Sequence, residues 1–265
     1  MTPPVKYREF DLPVNFSPDE KLWIMTDLHG NYEAMKSLLA LKPEDARFVY
    51  LGDAIDRGPC CFEVVEELLK ADATCLWGNH EGLAWLWINQ YDAAGYEDIA
   101  SSIGATWYLN GMEDTVQSVR TGMLKRSPFY ESTEDEELLA NFFSGYFPKL
   151  RRYFLSGNIF LSHVGFPGII FGKDFFDTAL LPVMNVDSWL WFRADDFDNE
   201  YLSPHHFDRD FQVYSVFGHT SVQKEHSIFP YGLDLDYGPL EKAALLLEPK
   251  TEDKPAHATI WTALT

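Results

Sequence analysis

Cysteine is scarce: the 265-residue chain has three, Cys60, Cys61 and Cys75, an odd number with two of them adjacent. Such a set is a poor framework for disulfides, so a reducing compartment, the cytoplasm, is expected. Positive charge is also in short supply, with 21 Lys and Arg against 41 Asp and Glu and a formal net charge of −20. Sustained sequence-independent binding to nucleic acid needs a cationic face, so no nucleic-acid partner is expected, and a phosphate-bearing substrate must meet positive charge concentrated locally. No stretch reads as a membrane span of about 18 apolar residues. Lys6, Arg8, Glu9, Asp11, Asp19, Glu20 and Lys21 interrupt the start of the chain, so neither a membrane partner nor a secretory signal is expected. Internal repeats, low-complexity tracts and linkers are lacking as well, which favours one domain over 1–265. What the chain does have is core material, 46% hydrophobic and 15% aromatic residues, which excludes disorder as its main state.

The apolar runs end abruptly in polar residues. KLWIMTD reads as a buried strand ending at Asp27, RFVYLGD as a second ending at Asp53, and TCLWGN as a third ending at Asn79. Between them, Met35, Leu38 and Leu39, then Phe62, Val65 and Leu69, recur at the spacing of amphipathic helices. Asp27 to Asp53 and Asp53 to Asn79 are both 26 residues apart, close to the roughly 30 residues of a βαβ unit. Parallel strands with right-handed crossovers place all three polar ends along one sheet edge, where ligands of open α/β sheets sit. From about residue 82 to 155 the pattern is irregular and mostly helical, an insertion capping that edge, with an acidic run from Glu131 to Glu137 that reads as a solvated face. Two later apolar runs, NIFLSHV and QVYSVFGHT, end in His163 and His219, and KAALLLE and HATIWTAL read as strands of a second sheet or layer.

Five polar clusters thus close five apolar runs: Asp27 with His29; Asp53 with Asp56 and Arg57; Asn79 with His80; His163; and His219. Carboxylate and amide oxygens with imidazole nitrogens suit a pair of first-row divalent cations, and a shared aspartate can hold two of them about 3.5–4 Å apart. Such a pair converts water to hydroxide near neutral pH, and the hydroxide can attack phosphorus in line while the cations offset phosphoryl charge. An alkoxide leaving group needs a proton donor, a role that suits an imidazole beside a carboxylate.

The segments TDLHGN at 26–31, GDAIDRG at 52–58, GNHE at 78–81, SHVG at 162–165 and FGHT at 217–220 occur in the order and with the content of one family. They resemble the phosphoprotein phosphatase family of calcineurin-like metallophosphoesterases, and WYLNGMEDTVQSV at 107–119 is similar to the Trp-Asn-Gly-Gly segment of its bacterial and bacteriophage-lambda type. The resemblance implies an α/β sandwich of two mixed β-sheets flanked by helices, with a dinuclear site at one sheet edge. It implies that Asp27, His29 and Asp53 hold one metal, that Asp53 bridges, and that Asn79, His163 and His219 complete the second site. The metals are expected to be manganese in the first place, with iron or zinc also suited to these donors. By the same likeness Arg57, Asn79 and Arg193 contact the phosphate, and His80, paired with Asp56, protonates the leaving oxygen. The implied activity is hydrolysis of phosphoserine and phosphothreonine, and of phosphotyrosine in a wider reading, with a phosphorylated protein or peptide as partner. Oligomeric state is left open.

Two competitors are carried alongside. A symmetrical dinucleoside-tetraphosphate hydrolase shares metals and fold, but those relatives have a neutral residue at the Asp56 position and Asp in place of Glu81. A catalytically silent phospho-binding protein is disfavoured because all six ligand candidates and His80 are present. The chain also departs from the family pattern at Thr26, where Gly is usual, at Met112, which replaces the second Gly of Asn-Gly-Gly and is expected to reshape the pocket wall, and at Tyr237 and Pro239. His205 and His206 read as loop residues, and Trp85, Trp87, Trp189 and Trp191 as core. Cys60 and Cys61 sit at a helix start after Pro59, which would slightly activate a thiol, but no nucleophilic role is expected of them.

Overall fold

The computed structural model describes residues 5–90, 97–127, 134–165, 213–223, 227–229 and 232–265. Its centre is the expected alternation of β2 (Leu22–Met25), α1 (Tyr32–Leu39), β3 (Arg47–Tyr50), α2 (Cys61–Lys70) and β4 (Thr74–Cys75), with the three strands parallel. Strand periodicity divides the side chains between two cores. Leu22, Ile24, Val49 and Leu51 face one of them; Trp23, Met25, Phe48 and Tyr50 face the other, with Met35 and Leu38 of α1 and Phe62, Val65 and Leu68 of α2. Asn31 caps α1 by accepting the Ala34 N–H at 3.0 Å.

The larger sheet runs β1-β11-β10-β2-β3-β4, where β1 is Val5–Asp11, β10 is Glu241–Glu248 and β11 is His257–Leu264. The two C-terminal strands therefore join the first sheet rather than a second. Their composition explains it: β10 is buried on both faces, Ala243, Leu245 and Leu247 toward one core and Ala244 and Leu246 toward the other, which suits a central position beside β2. The smaller sheet, β5-β6-β7-β9-β8, comprises β5 (Phe154–Ser156), β6 (Ile159–Leu161), β7 (Tyr214–Phe217), β8 (Ile228–Phe229) and β9 (Gly232–Asp234), with β6, β7 and β9 parallel. Ile159, Leu161, Tyr214, Val216 and Leu233 of this sheet meet the inner face of the larger one, so the core between two mixed sheets is a sandwich.

Among the described residues four helices follow β4: α3 (Asn79–Gln90), α4 (Glu97–Leu109), α5 (Met112–Arg126) and α6 (Asp135–Phe143). The expectation that a strand ends at Asn79 is corrected: β4 stops at Cys75 and Asn79 opens α3. Gly78 lies so close to the Asp53 loop that a Cβ there would meet Asp53 Oδ1 at 2.2 Å, and the chain turns into the helix at that contact. The helical stretch thus begins earlier than the expected residue 82. Helices α5 and α6 pack over α2, with Phe62 and Phe142 stacked at 5.1 Å and Gly122 directly against the Phe62 ring. In the acidic run, Asp135, Glu136 and Glu137 occupy the first turn of α6, where they complement the helix dipole; residues 131–133 lie outside the described residues. Among the described residues no helix is long and apolar enough to cross a membrane.

Candidate metal centre

The polar ends of β2 and β3 leave their strands side by side. Asp27 N donates to Gly52 O (3.0 Å), His29 N to Asp53 O (3.0 Å) and Gly30 N to Ala54 O (2.9 Å), so the two loops are stitched along their length. The backbone there is unusual. Seven non-glycine residues among those described have positive φ, and six of them are motif residues: Asp27 (50°), His29 (46°), Asp53 (61°), Asp56 (70°), Arg57 (66°) and His219 (71°). Left-handed backbone at a non-glycine residue costs of order 1–3 kcal/mol, and it persists where surrounding contacts over-determine it. Here it turns successive side chains toward one point.

Asp53 is at that point. Its Oδ2 lies 3.6 Å from His29 Nε2 and 3.8 Å from His80 Nε2, while Oδ1 lies 3.4 Å from His163 Nε2. Asn79 Oδ1 is 2.9 Å from both His163 Nε2 and His219 Nδ1. Two triads result, His29–Asp53–His80 and Asp53–His163–His219, each with ligand atoms within 4.8 Å of one another and with Asp53 common to both. Asp27 joins from β2: its Oδ2 accepts Thr26 Oγ1 (2.6 Å) and His219 N (3.2 Å), and Gly218 approaches so closely that a Cβ would meet that oxygen at 2.1 Å. The six ligand candidates are therefore gathered around one centre.

The donor chemistry fits divalent cations. His29 Nδ1–H donates to Ile55 O at 2.8 Å, which leaves Nε2 as the lone-pair nitrogen facing Asp53, the usual second contact of a ligating imidazole. The buried Nδ1 of His163 has no hydrogen-bond partner among the described residues. Burial, then the neighbouring Asp236, lift the Asp27 carboxyl to about 7. Asp53 behaves oppositely: burial opposes its charge, but His163, His80 and His29 outweigh it and hold the carboxyl well below its ordinary range. Burial likewise opposes a charge on His163, yet Asp53, Asp27 and Glu81 raise it to about 9, while His29, buried beside His80 and Arg57, is held well below the imidazole value.

Beside the centre, His80 Nδ1 donates to Asp56 Oδ2 at 2.6 Å, as expected. Burial disfavours the imidazolium, but Asp53 and Asp56 more than offset it and raise the His80 pKa. Arg57 is exposed and its guanidinium bridges His29 Nε2 (3.1 Å) and His80 Nε2 (2.9 Å), so it stands over the centre. A polar pocket of about 100 Å³ is lined by Asp27, Asp53, Arg57, Asn79, His80 and His219 among others. Arg193, His205, His206, Trp189 and Trp191 lie outside the described residues.

Sequence reading missed the residues that brace this arrangement. The buried Glu81 carboxylate accepts the backbone N–H groups of Asp53 (2.8 Å), Ala54 (2.8 Å) and Gly78 (3.1 Å). Its position three residues after Gly78, whose N–H it accepts, is the Glu half of a capping box and was available in GNHE, though Gly78 has no side chain to supply the other half. Burial and Asp53 nonetheless raise its carboxyl to about 7, against the pull of those N–H groups. Asp56 is held from the helical side by Trp107 Nε1 (2.8 Å to Oδ2) and Thr115 Oγ1 (2.5 Å to Oδ1), and although both lie in the family-like segment at 107–119, nothing in that segment ties them to Asp56. Asp236 accepts from Ser221 Oγ and Gly238 N, both at 2.8 Å, and ties the loop after His219 to the turn after β9. Met112 opens α5 and packs on the helical-side core. The expected slight activation of the cysteines is reversed, because burial raises Cys60 and pushes Cys61 up to about 12.

Residues 20–235 match the model of a family described as calcineurin-like phosphoesterase. The chain is 26% identical over 179 residues to serine/threonine-protein phosphatase 2 of Escherichia coli (strain K12), which covers 64% of this chain and 71% of that protein. It is 31% identical over 93 residues to serine/threonine-protein phosphatase 1 of Salmonella typhimurium, 34% of this chain and 38% of that one. A solved structure provisionally described as a diadenosine tetraphosphatase is similar over 92% of this chain and 97% of its own, at 15% identity and a TM-score of 0.43.

Proposed function

The chain belongs to the calcineurin-like phosphoesterase family, and from that premise we propose that it is a metal-dependent phosphoprotein phosphatase acting on phosphoserine and phosphothreonine, and on phosphotyrosine as a secondary substrate. The observation that carries this is Asp53 placed between His29 on one side and His163 and His219 on the other, in a polar pocket beside an Asp56–His80 dyad. In this reading Asp27, His29 and Asp53 hold one divalent cation, and Asn79, His163 and His219 hold a second with Asp53 as the shared ligand. When bound, the two cations supply a water-derived nucleophile at neutral pH and neutralise phosphoryl charge, with manganese the first candidate.

The protein's own groups do the rest. Arg57 and Asn79 receive the phosphate, and Arg193 is a further candidate from the sequence. Arg57 spends two donors on imidazole nitrogens in this arrangement; a phosphate dianion is a stronger acceptor and draws the guanidinium fork onto itself. That move frees His80 Nε2, which faces the pocket, to carry the proton that the departing alkoxide requires. Asp56 keeps the imidazole oriented through Nδ1 and supports its protonated form.

The reading is tested with protein purified without added metal, analysed for metal content and assayed with and without chelator. We expect close to two divalent ions per chain, chelator-sensitive hydrolysis of phosphoserine and phosphothreonine peptides, and little turnover of diadenosine tetraphosphate. The reverse substrate preference would establish the dinucleotide hydrolase instead, and phosphate binding without turnover would establish a silent binding protein.

A further inference from the structure

A cleft of about 450 Å³ opens beside the polar pocket and shares Arg57, Ser221 and Asp236 with it. Lys242 lines the cleft but not the pocket. It is the second residue of β10, and because Ala244 pairs with Met25, Lys242 reaches the same sheet edge as Asp27. The residue is only 5% exposed. Its ammonium donates to Gly238 O at 3.2 Å and forms no ion pair with any described carboxylate. The acids around it are already engaged: Asp236 by Ser221 and Gly238, Asp27 by Thr26 and His219. A buried ammonium with two donors unused among the described residues is costly unless an anion arrives to meet it. In a chain of net charge −20 such a cation beside a phosphoesterase centre needs a reason.

We propose that Lys242 is a substrate-recognition residue whose ammonium takes an oxyanion carried next to the scissile phosphate, either a carboxylate or a second phosphate. Because Lys242 faces the cleft and not the pocket where Asp53, His80 and Arg57 meet, the group it takes is the flanking anion rather than the phosphoryl group being cleaved. This rests on the phosphoprotein reading above and narrows its substrates to phosphosites with acidic or phosphorylated neighbours.

The test compares kcat/KM for phosphoserine peptides that differ only in one adjacent residue, Glu, phosphoserine or Gln, using wild type, K242Q and K242R. Wild type should favour an anionic neighbour over Gln by about tenfold, the order of one charge-assisted hydrogen bond. K242Q should bring that ratio close to 1, and K242R should retain most of it. Whether Glu or phosphoserine gives the larger ratio identifies the source of the anion. A wild-type ratio near 1, or a K242Q variant that loses rate equally on all three peptides, would overturn the proposal even if K242Q were poorly folded in the first case. If diadenosine tetraphosphate were the substrate, its adjacent phosphates would supply the anion. A selective loss of that activity in K242Q, relative to 4-nitrophenyl phosphate, would then refute the phosphoprotein reading and with it the restriction to phosphosites, and would show that Lys242 takes the adjacent phosphate of a dinucleotide instead.

Discussion

Replacing His80 with Asn separates proton donation from metal holding. The side chain is buried, with Nδ1 on Asp56 and Nε2 toward the pocket, while its backbone N–H donates to Asp53 Oδ1 at 3.1 Å, a contact the substitution keeps. The Asp56 carboxylate retains two of its three side-chain donors, Trp107 and Thr115. The stability cost is then limited to about one charged hydrogen bond, 1–3 kcal/mol, and the protein folds. Metal content stays at the wild-type level because the shared ligand Asp53 is still oriented from both sides. Losing a general acid costs about 10²–10⁴ in rate when the leaving group is poor. A phosphoserine peptide, which releases an alkoxide, should therefore lose about a thousandfold in kcat, whereas 4-nitrophenyl phosphate, which releases a stabilised phenoxide, should lose far less. Steady-state kinetics on both substrates, with metal analysis of the same preparations, gives the result. Equal losses on the two substrates, or loss of metal with unchanged turnover per metal, would refute the assigned division of roles.

Two further perturbations separate the brace from the scaffold. Glu81→Gln keeps one acceptor oxygen but presents an amide N–H₂ to backbone N–H groups that its carboxylate now serves at both oxygens. We expect a loss of about 2–4 kcal/mol in denaturant unfolding and reduced metal occupancy at both sites through the Asp53 loop, and normal occupancy with wild-type stability would contradict this. Gly122→Ala would gain about 1 kcal/mol of helix propensity in an exposed helix, but here the added Cβ meets the Phe62 ring at 2.2 Å. Over-packing should win, with a net loss of about 1–3 kcal/mol in unfolding experiments and unchanged metal content, and a stabilised variant would show that α5 shifts freely over α2.

The strands before Asp27 and Asp53 were legible because apolar runs stop near carboxylates with repeated spacing, but neither aspartate ends its strand: β2 stops at Met25 and β3 at Tyr50, and both residues stand in the loops that follow. Asn79 was misread as a strand end since nothing in TCLWGN reveals that Gly78 must touch Asp53. The sheet assignment of β10 and β11 failed for a similar reason: a strand buried on both faces looks the same in either sheet. Trp107 and Thr115 stood in the family-like segment at 107–119, but nothing there linked them to Asp56, and Lys242 carried no local signal, because these partners and the cleft are distant in the chain.

The amino-acid order alone determined which residue types are available for phosphate chemistry and that they lie at the ends of apolar segments, since hydrophobic periodicity and motif spacing are properties of neighbouring residues. Only the folded chain decided that Asp53 is shared by two triads, that six motif residues take left-handed backbone, and that a lone buried ammonium faces the cleft. Those outcomes depend on contacts between segments up to about two hundred residues apart, such as His219 with Asp27, and the energies of such contacts exist only once both cores have packed.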